Sequence, residues 1–233
     1  MSAFNRVCPR CLPLKDKVIG YTDEAGVQIP PLHPRCRCVI DYREVGGGLT
    51  GTNTLNEIGF KPKDHTQWSD EIWLANSGGK SAEYKTNCQR CVVAHEARMR
   101  GYDVVARPSW GAGDDLQKVG NWLEVFTGDK ETYNCKGKTP KDLEEFIAEK
   151  MKMWGKGSRA FLWFQWKEPI LGKGHVVVIR LNENGFVQYG DPQTGKIGVV
   201  RYLQEIKLDS AVIMRVDNLE FTDKIKWYCA DRK

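Results

Sequence analysis

Apolar positions recur at helical spacing in two segments of the chain. The segment 88–100, CQRCVVAHEARMR, places five side chains on one face of a predicted helix: Cys88, Cys91, Val92, His95 and Met99. Gly101 is expected to end this helix. A second helix is predicted to begin at Thr139-Pro140, a capping threonine followed by a proline at the first helical position. The apolar residues expected on the buried face of this second helix are Leu143, Phe146, Ile147 and Met151.

Runs with strand-like patterning follow these helical segments. The predicted strands cover residues 102–106, 160–166, 175–181, 186–189, 198–203 and 211–216. The turn Asn182-Glu183-Asn184-Gly185 separates two of them and is typical of a hairpin. Helices followed by a mostly antiparallel sheet indicate an α+β fold.

The N-terminal part of the chain has no such periodicity. Residues 1–45 are rich in Cys and Pro, and the stretch 46–58, which begins with three glycines, is predicted to be a flexible linker. We therefore expect a small N-terminal module, a linker at 46–58 and a globular domain at 59–233.

Composition and charge favour a globular protein and argue against nucleic-acid-binding and membrane-spanning proteins. The chain of 233 residues is 41% hydrophobic and 10% aromatic, which is enough for a packed core. Its net charge of +5 is spread along the chain, which argues against a dedicated nucleic-acid partner. Because no apolar run approaches ~18 residues, we expect neither a membrane-spanning helix nor a membrane partner. The first residues contain no apolar signal core, so we expect retention in a reducing cytoplasm, or export by a route that this segment does not encode.

Clustered cysteines in a reducing compartment favour metal binding or catalysis over disulfides. Cys8-Pro-Arg-Cys11 and His33-Pro-Arg-Cys36 supply two close pairs of soft ligands, as in a tetrahedral zinc site. We predict a structural zinc ion held by Cys8, Cys11, His33 and Cys36, with Cys38 as an alternative ligand. Disulfides or inert thiols are the alternative interpretation.

Cys88 is the candidate nucleophile. It is predicted to lie at a helix N-terminus behind Asn87, a residue type that often caps helices. Unpaired backbone N–H groups and the helix dipole favour an anion there, and a thiolate is an anion. Cys91, one turn further along, is interpreted as a small packed side chain. A redox pair formed by Cys88 and Cys91 is the alternative.

His175 and Asp191 are predicted to meet across the hairpin. The turn sets their strands in a register that makes them cross-strand neighbours, or offsets them by a residue or two. A carboxylate beside a histidine orients the ring and stabilises its charged form, as a Cys-His-Asp triad requires. As alternatives, His175 simply ends a strand and Asp191 simply begins the turn Asp-Pro-Gln-Thr-Gly.

Three segments carrying these residues resemble the papain-fold toxin family, which includes bacterial glutamine deamidases. They are TNCQRCVVAHEARMRGYDVVARP, GHVVVIRL and VQYGDPQTG, within about residues 75–200. The resemblance implies a papain-like fold, with the nucleophile-bearing helix packed on an antiparallel sheet. It also implies catalytic roles for Cys88, His175 and Asp191 in hydrolysing an amide of a protein substrate.

The chain departs from papain itself in two places. The signature Cys-Gly-Ser-Cys-Trp is absent, and Ala82 stands where papain has the glutamine of its oxyanion hole. The oxyanion donors are therefore expected to be the backbone N–H of Cys88 and a side chain, either Asn87 or Gln193. Gln193 is alternatively only a turn residue. Deamidation, peptide cleavage and acyl transfer stay open at this point, and the resemblance favours side-chain amide hydrolysis.

A second resemblance concerns the N-terminal module. The string CPRCLPL followed by PPLHPRCRC resembles the C-terminal end of phage Mu F-type minor head proteins. It implies a phage or prophage setting, capsid or portal components as partners, and a cytoplasmic or virion-associated location. The leading hypothesis is thus a phage-associated cysteine amide hydrolase, a toxin or effector. The alternative is a non-catalytic head-morphogenesis module stabilised by zinc.

The zinc prediction can be checked on the purified chain. We expect stoichiometric zinc by elemental analysis, and a lower unfolding temperature after chelation, because a segment of 45 residues buries little core without a metal. Absence of zinc together with unchanged stability in chelator would contradict the prediction.

Overall fold

The structure is a computed structural model that describes residues 52–63, 66–76, 81–109, 124–167 and 174–232. All of them belong to one compact unit, 45–233. The described α-helices are α1 (Thr52–Ile58), α2 (Trp68–Leu74), α3 (Cys88–Met99), α4 (Pro140–Trp154) and α5 (Ile225–Tyr228). Short 3₁₀ helices cover Ala82–Tyr84, Val199–Gln204 and Leu208–Ser210. None of these described helices has the length and apolar character needed to cross a bilayer.

Antiparallel strands make up the described sheets. They are β1 (Val104–Ala106), β2 (Phe126–Thr127), β3 (Thr132–Asn134), β4 (Arg159–Gln165), β5 (Gly174–Leu181), β6 (Val187–Asp191), β7 (Lys196–Ile197), β8 (Val212–Arg215), β9 (Glu220–Phe221) and β10 (Cys229–Asp231). Six strands form the main sheet in the order β3-β8-β4-β5-β6-β7, and β1-β10 and β2-β9 form two short ribbons. This mixture of helices and antiparallel strands confirms the predicted α+β class.

Helices α3 and α4 cover opposite faces of the main sheet. Val176 and Val178 of β5 pack in the apolar cluster that contains the α3 side chains. Val177 and Ile179 pack in the other cluster, with the buried residues of α4. Successive side chains of a strand point to opposite faces, so a nearly continuous apolar strand of this kind has a helix on each side.

The predicted start of α4 is confirmed. The Thr139 hydroxyl accepts a hydrogen bond from the Asp142 backbone N–H at 3.2 Å, and the Asp142 carboxylate accepts one from the Thr139 N–H at 3.0 Å. This reciprocal pair is a capping box, with Pro140 at the first helical turn.

Two predicted boundaries need correction. The strand expected at 198–203 is instead the 3₁₀ helix Val199–Gln204, which follows Gly198 in the left-handed conformation. Val199 and Leu203 are buried while Arg201 between them is exposed, whereas an alternating strand would place all three on one face. The predicted linker also ends in ordered structure, because α1 forms over its last seven residues and Leu55 is fully buried. Residues 1–51, with the predicted N-terminal module, lie outside the described residues.

Helix α3 is buried on every side, and not on one face as its pattern predicts. All residues from Gln89 to Met99 are buried. The cause is tertiary, because β5 contacts one side of the helix while α2, β1 and α5 contact the others.

Complete burial requires the charges of α3 to be paired inside the protein. The Glu96 carboxylate accepts hydrogen bonds from Arg100 at 2.9 Å and from two nitrogens of Arg159 at 2.8 Å. Arg98 donates to Glu71 of α2 at 2.6 Å. Burial alone would raise the pKa of Glu96, but the two arginines outweigh it and lower the pKa to about 2.

We predict that Glu96→Gln lowers the free energy of unfolding by about 3–5 kcal/mol, because it removes the charge of the carboxylate that two buried guanidinium groups bind. Urea denaturation at neutral pH measures the change. Glu149→Gln is the matched control: its side chain is 71% exposed, so we expect a change below about 0.5 kcal/mol. Equal, small effects of both substitutions would contradict the prediction.

Candidate active site

Cys88, His175 and Asp191 come together where α3 begins beside the main sheet. Cys88 is the first residue of α3 and carries a free, half-buried thiol. His175 Nε2 lies 3.2 Å from Asp191 Oδ2, and the imidazole is also hydrogen-bonded to Cys88. Because Nε2 faces the carboxylate, Nδ1 is the ring nitrogen available to the sulfur. The three side chains thus form a continuous line from sulfur to imidazole to carboxylate.

The hairpin register brings the imidazole to the carboxylate. Val178 of β5 lies opposite Gly190 of β6. Continuing this register places Asp191 opposite Val177, two residues from His175. Such diagonal neighbours share one face of the sheet and lie within reach of long side chains. The offset falls within the range that the turn predicts.

Burial and hydrogen bonding act in opposite directions on His175, which is only 7% exposed. Burial alone would lower the pKa of the imidazole. The hydrogen bonds that the imidazole makes to Asp191 and Cys88, together with the charge of Asp191, outweigh burial and raise the pKa of His175 to about 10. The imidazole is therefore charged at neutral pH, and an imidazolium next to a cysteine sulfur is the arrangement found in thiolate–imidazolium pairs.

The Asp191 carboxylate is held by more than the histidine. The Thr194 hydroxyl donates to Oδ2 at 2.9 Å, the Tyr202 hydroxyl donates to Oδ2 at 3.2 Å, and the Gln193 backbone N–H donates to Oδ1 at 3.0 Å. Burial by itself raises the pKa of Asp191, but His175, the Thr194 hydroxyl and the Gln193 N–H outweigh it and lower the pKa. Asp191 therefore organises its turn, as the alternative interpretation has it, and also contacts the imidazole.

Aromatic rings surround the imidazole. Trp166 stacks on His175 with ring centroids 5.8 Å apart and an interplanar angle of 21°, while Phe164 meets it edge-on. Phe164 is buried in the core, and Trp166 packs half-buried against it. Aromatic faces attract a cation, so Trp166 favours the charged ring.

Asn87 precedes the helix, but its side chain makes no capping bond, so that prediction is wrong. The Nδ2 group donates to Asn76 Oδ1 at 3.3 Å and to the Arg107 carbonyl at 3.1 Å. An amide nitrogen carries two hydrogens, and both are used here. Asn87 is thus a poor candidate for an oxyanion donor. Gln193 is half-buried beside it, with Nε2 3.5 Å from Asn87 Oδ1.

Two further groups on α3 are core residues. Cys91 is fully buried, its thiol donates to Asn87 Oδ1 at 3.2 Å, and burial raises its pKa. A buried, protonated thiol is inert, which disfavours a redox pair with Cys88. Neither ring nitrogen of His95 has a hydrogen-bond partner among the described residues. The ring packs edge-on against Trp68, and burial lowers its pKa to about 3. It is therefore a neutral core histidine and not a second base.

The predicted zinc ligands Cys8, Cys11, His33, Cys36 and Cys38 lie outside the described residues. Within the described ranges, no group of three or more His, Cys, Asp or Glu side chains is arranged to hold a metal ion.

Sequence reasoning missed four side chains of this region: Asn76, Trp166, Thr194 and Tyr202. The turn Asp-Pro-Gln-Thr-Gly contains a usable signal for Thr194, since an aspartate commonly accepts hydrogen bonds from the residues that follow it in such a turn. Tyr202 reaches the site only because its segment is helical. Asn76 and Trp166 reach the site only through tertiary packing.

Comparison with known proteins bears on the same region. Residues 86–196 match the model of a family described as papain fold toxin 1, glutamine deamidase, and the match includes Cys88, His175 and Asp191. The predicted resemblance to papain-fold toxins is thereby confirmed over those residues. A solved structure of the Salmonella effector SpvD, G161 variant, is similar with a TM-score of 0.45 and 12% identity, over 67% of this chain and 81% of that chain. No curated protein matches this chain in sequence. The likeness of residues 1–45 to phage head proteins stays a prediction.

The charge on His175 is testable by NMR of the imidazole nitrogens. We expect His175 to titrate near pH 10 and Asp191→Asn to lower the midpoint, because Cys88 alone then acts against burial. A pKa raised in the folded state means that this pair stabilises the protein fully below about pH 6.5 and loses its effect as pH rises through 10. His95, with a pKa of about 3, is an internal control that stays neutral. A wild-type midpoint near 6.5 would contradict the assignment.

Proposed function

We propose that this chain is a cysteine-dependent amide hydrolase that acts as a toxin or effector on a protein substrate. Cys88 is the nucleophile, His175 the acid and base, and Asp191 the group that orients the imidazole. The observation that carries the proposal is the buried imidazole between the Cys88 sulfur and the Asp191 carboxylate, with its pKa raised to about 10.

The first half of the reaction forms a thioester. The Cys88 thiolate attacks the amide carbonyl, the C–S bond forms, and the carbonyl oxygen becomes an oxyanion. His175 gives its proton to the leaving nitrogen as the C–N bond breaks, and ammonia or an amine departs. The neutral imidazole then takes a proton from water, whose oxygen attacks the thioester and releases the carboxylic acid and the thiolate.

The oxyanion requires donors that are already in place. The backbone N–H of Cys88 is one, since the first amides of a helix lack partners within it. Gln193 Nε2 is the second, because Asn87 has no amide hydrogen left to donate.

A glutamine side chain is the proposed amide, which makes the reaction a deamidation. The description of the matched family supports this choice over cleavage of the main chain. Conversion of glutamine to glutamate in a protein extract, detected by mass spectrometry and abolished by Cys88→Ala, would be the direct sign. New peptide termini that depend on Cys88 would indicate a peptidase instead.

Alkylation of the thiol tests the nucleophile without a known substrate. We expect iodoacetamide at about pH 6 to modify Cys88 faster than any other cysteine of the described residues, and His175→Ala to slow this by about 100-fold. Peptide mapping after timed quenching measures the rates, with circular dichroism to confirm folding. Cys91→Ala is the control and should leave the Cys88 rate unchanged.

Other outcomes of this experiment favour other functions. Uniformly slow labelling of all cysteines would favour a non-catalytic module. A reversible disulfide between Cys88 and Cys91 would favour a thiol redox protein.

A further inference from the structure

Three side-chain amides form a cluster beside the proposed nucleophile. Asn76 follows α2, Asn87 immediately precedes Cys88, and Gln193 lies in the turn after Asp191. They are joined in series, since Asn87 Nδ2 donates to Asn76 Oδ1 at 3.3 Å and Gln193 Nε2 lies 3.5 Å from Asn87 Oδ1. The segments on either side of residues 77–86 therefore meet the distant turn after β6 at this cluster.

Every polar atom of the Asn76 side chain is engaged. Its Nδ2 group donates to the Gln193 carbonyl at 2.8 Å and to the Tyr84 carbonyl at 3.1 Å, and its Oδ1 accepts from Asn87. An amide has two hydrogens to donate, so these bonds use its full donor capacity. Two of the partners, Tyr84 and Asn87, lie just before Cys88, and the third, Gln193, lies just after Asp191.

Asn76 is itself held on a rigid base. Ile72 of α2 packs so closely on Gly190 that a Cβ atom there would lie 2.4 Å from its Cδ1. Glu71 of α2 is paired with the buried Arg98 of α3. Helix α2 is thus tied to both β6 and α3, and Asn76 lies two residues beyond its end.

Gln193 is consequently fixed at three points. Its backbone N–H donates to Asp191, its carbonyl accepts from Asn76, and its side-chain nitrogen faces Asn87. Asn76 joins this turn to the segment in front of Cys88 through its bonds to Gln193, Tyr84 and Asn87, beside the long direct contact between Gln193 and Asn87.

We infer that Asn76 is a positioning residue, which holds Gln193 at the distance from Cys88 that an oxyanion donor needs. The inference rests on the proposed function, because it concerns the same site. Loss of one oxyanion donor costs about 10²–10³ in rate, and a displacement of about 1 Å can cost about 10². Asn76 is expected to act on steps that generate an oxyanion and on no others.

Two reactions of Cys88 separate these steps. p-Nitrophenyl acetate acylates the sulfur: the C–S bond forms through an oxyanion, the ester C–O bond breaks, and p-nitrophenolate leaves. Iodoacetamide alkylates the same sulfur by direct displacement of iodide, with no oxyanion. The rates of acetylation and alkylation at Cys88, measured by peptide mass spectrometry, give a ratio that reports on the oxyanion donor.

We expect Asn76→Ala to reduce acetylation of Cys88 at least about 10-fold while alkylation stays within about twofold. Gln193→Ala should behave in the same way. The double variant should be no slower than Gln193→Ala alone, because a residue that acts only through Gln193 has nothing left to position. Asn76→Asp, which keeps the shape and loses both donors, should match Asn76→Ala.

The control is Asn182→Ala in the β5–β6 turn, whose Oδ1 accepts from the Phe186 N–H at the opposite end of β5 from His175. It removes a comparable bond and should change neither rate.

Three results would overturn the inference. Equal losses of acetylation and alkylation in Asn76→Ala would mean that Asn76 only supports the fold, and unchanged rates would mean that it has no role. Additive effects in the double variant would mean that it acts without Gln193. If wild-type Cys88 is alkylated rapidly at pH 6 but never acetylated, the proposed hydrolase function fails as well, which distinguishes that failure from the other three.

Discussion

Complete burial of helix α3 is the constraint on which the rest of the structure depends. A helix enclosed on all sides cannot leave its charged side chains in water, so Glu96 is paired with Arg100 and Arg159. Arg159 opens β4, and β4 runs antiparallel to β5 so that its far end, Phe164, lies opposite His175. The ion pair therefore joins the later part of α3 to one end of this strand pair, and Cys88 meets His175 at the other end.

This arrangement explains how Cys88 and His175, which are 87 positions apart in the sequence, are held within hydrogen-bonding distance of each other. The helix and the strand pair are each rigid, and they are joined near both ends, by buried charges at one and by the Cys88–His175 hydrogen bond at the other. Electrostatic preorganisation of this kind keeps the buried His175 and Asp191 aligned.

The turn after β6 gives the carboxylate two roles through one set of contacts. The Asp191 carboxylate accepts hydrogen bonds from two backbone N–H groups of its own turn. It also accepts hydrogen bonds from two hydroxyl groups and contacts the His175 imidazole. The same turn carries Gln193, whose carbonyl is bound by Asn76. Orientation of the proposed base and placement of the proposed oxyanion donor therefore depend on a single loop, which explains why polar side chains converge there.

The sequence alone determined the local features of this protein. Helical spacing predicts α3, and helical spacing with a capping threonine predicts α4. The Asn184-Gly185 turn predicts the β5–β6 hairpin, and its register predicts that His175 and Asp191 meet. These features depend on neighbours in the chain, which a reader of the sequence can see. Tertiary packing alone decided that α3 is buried all round, that Asn87 binds Asn76 and leaves the helix end uncapped, and that Val199–Gln204 is helical and brings Tyr202 to Asp191. The physical reason is that a side-chain amide or hydroxyl pairs with whichever partner the packed core brings within reach, and the residue spacing along the chain does not encode that choice.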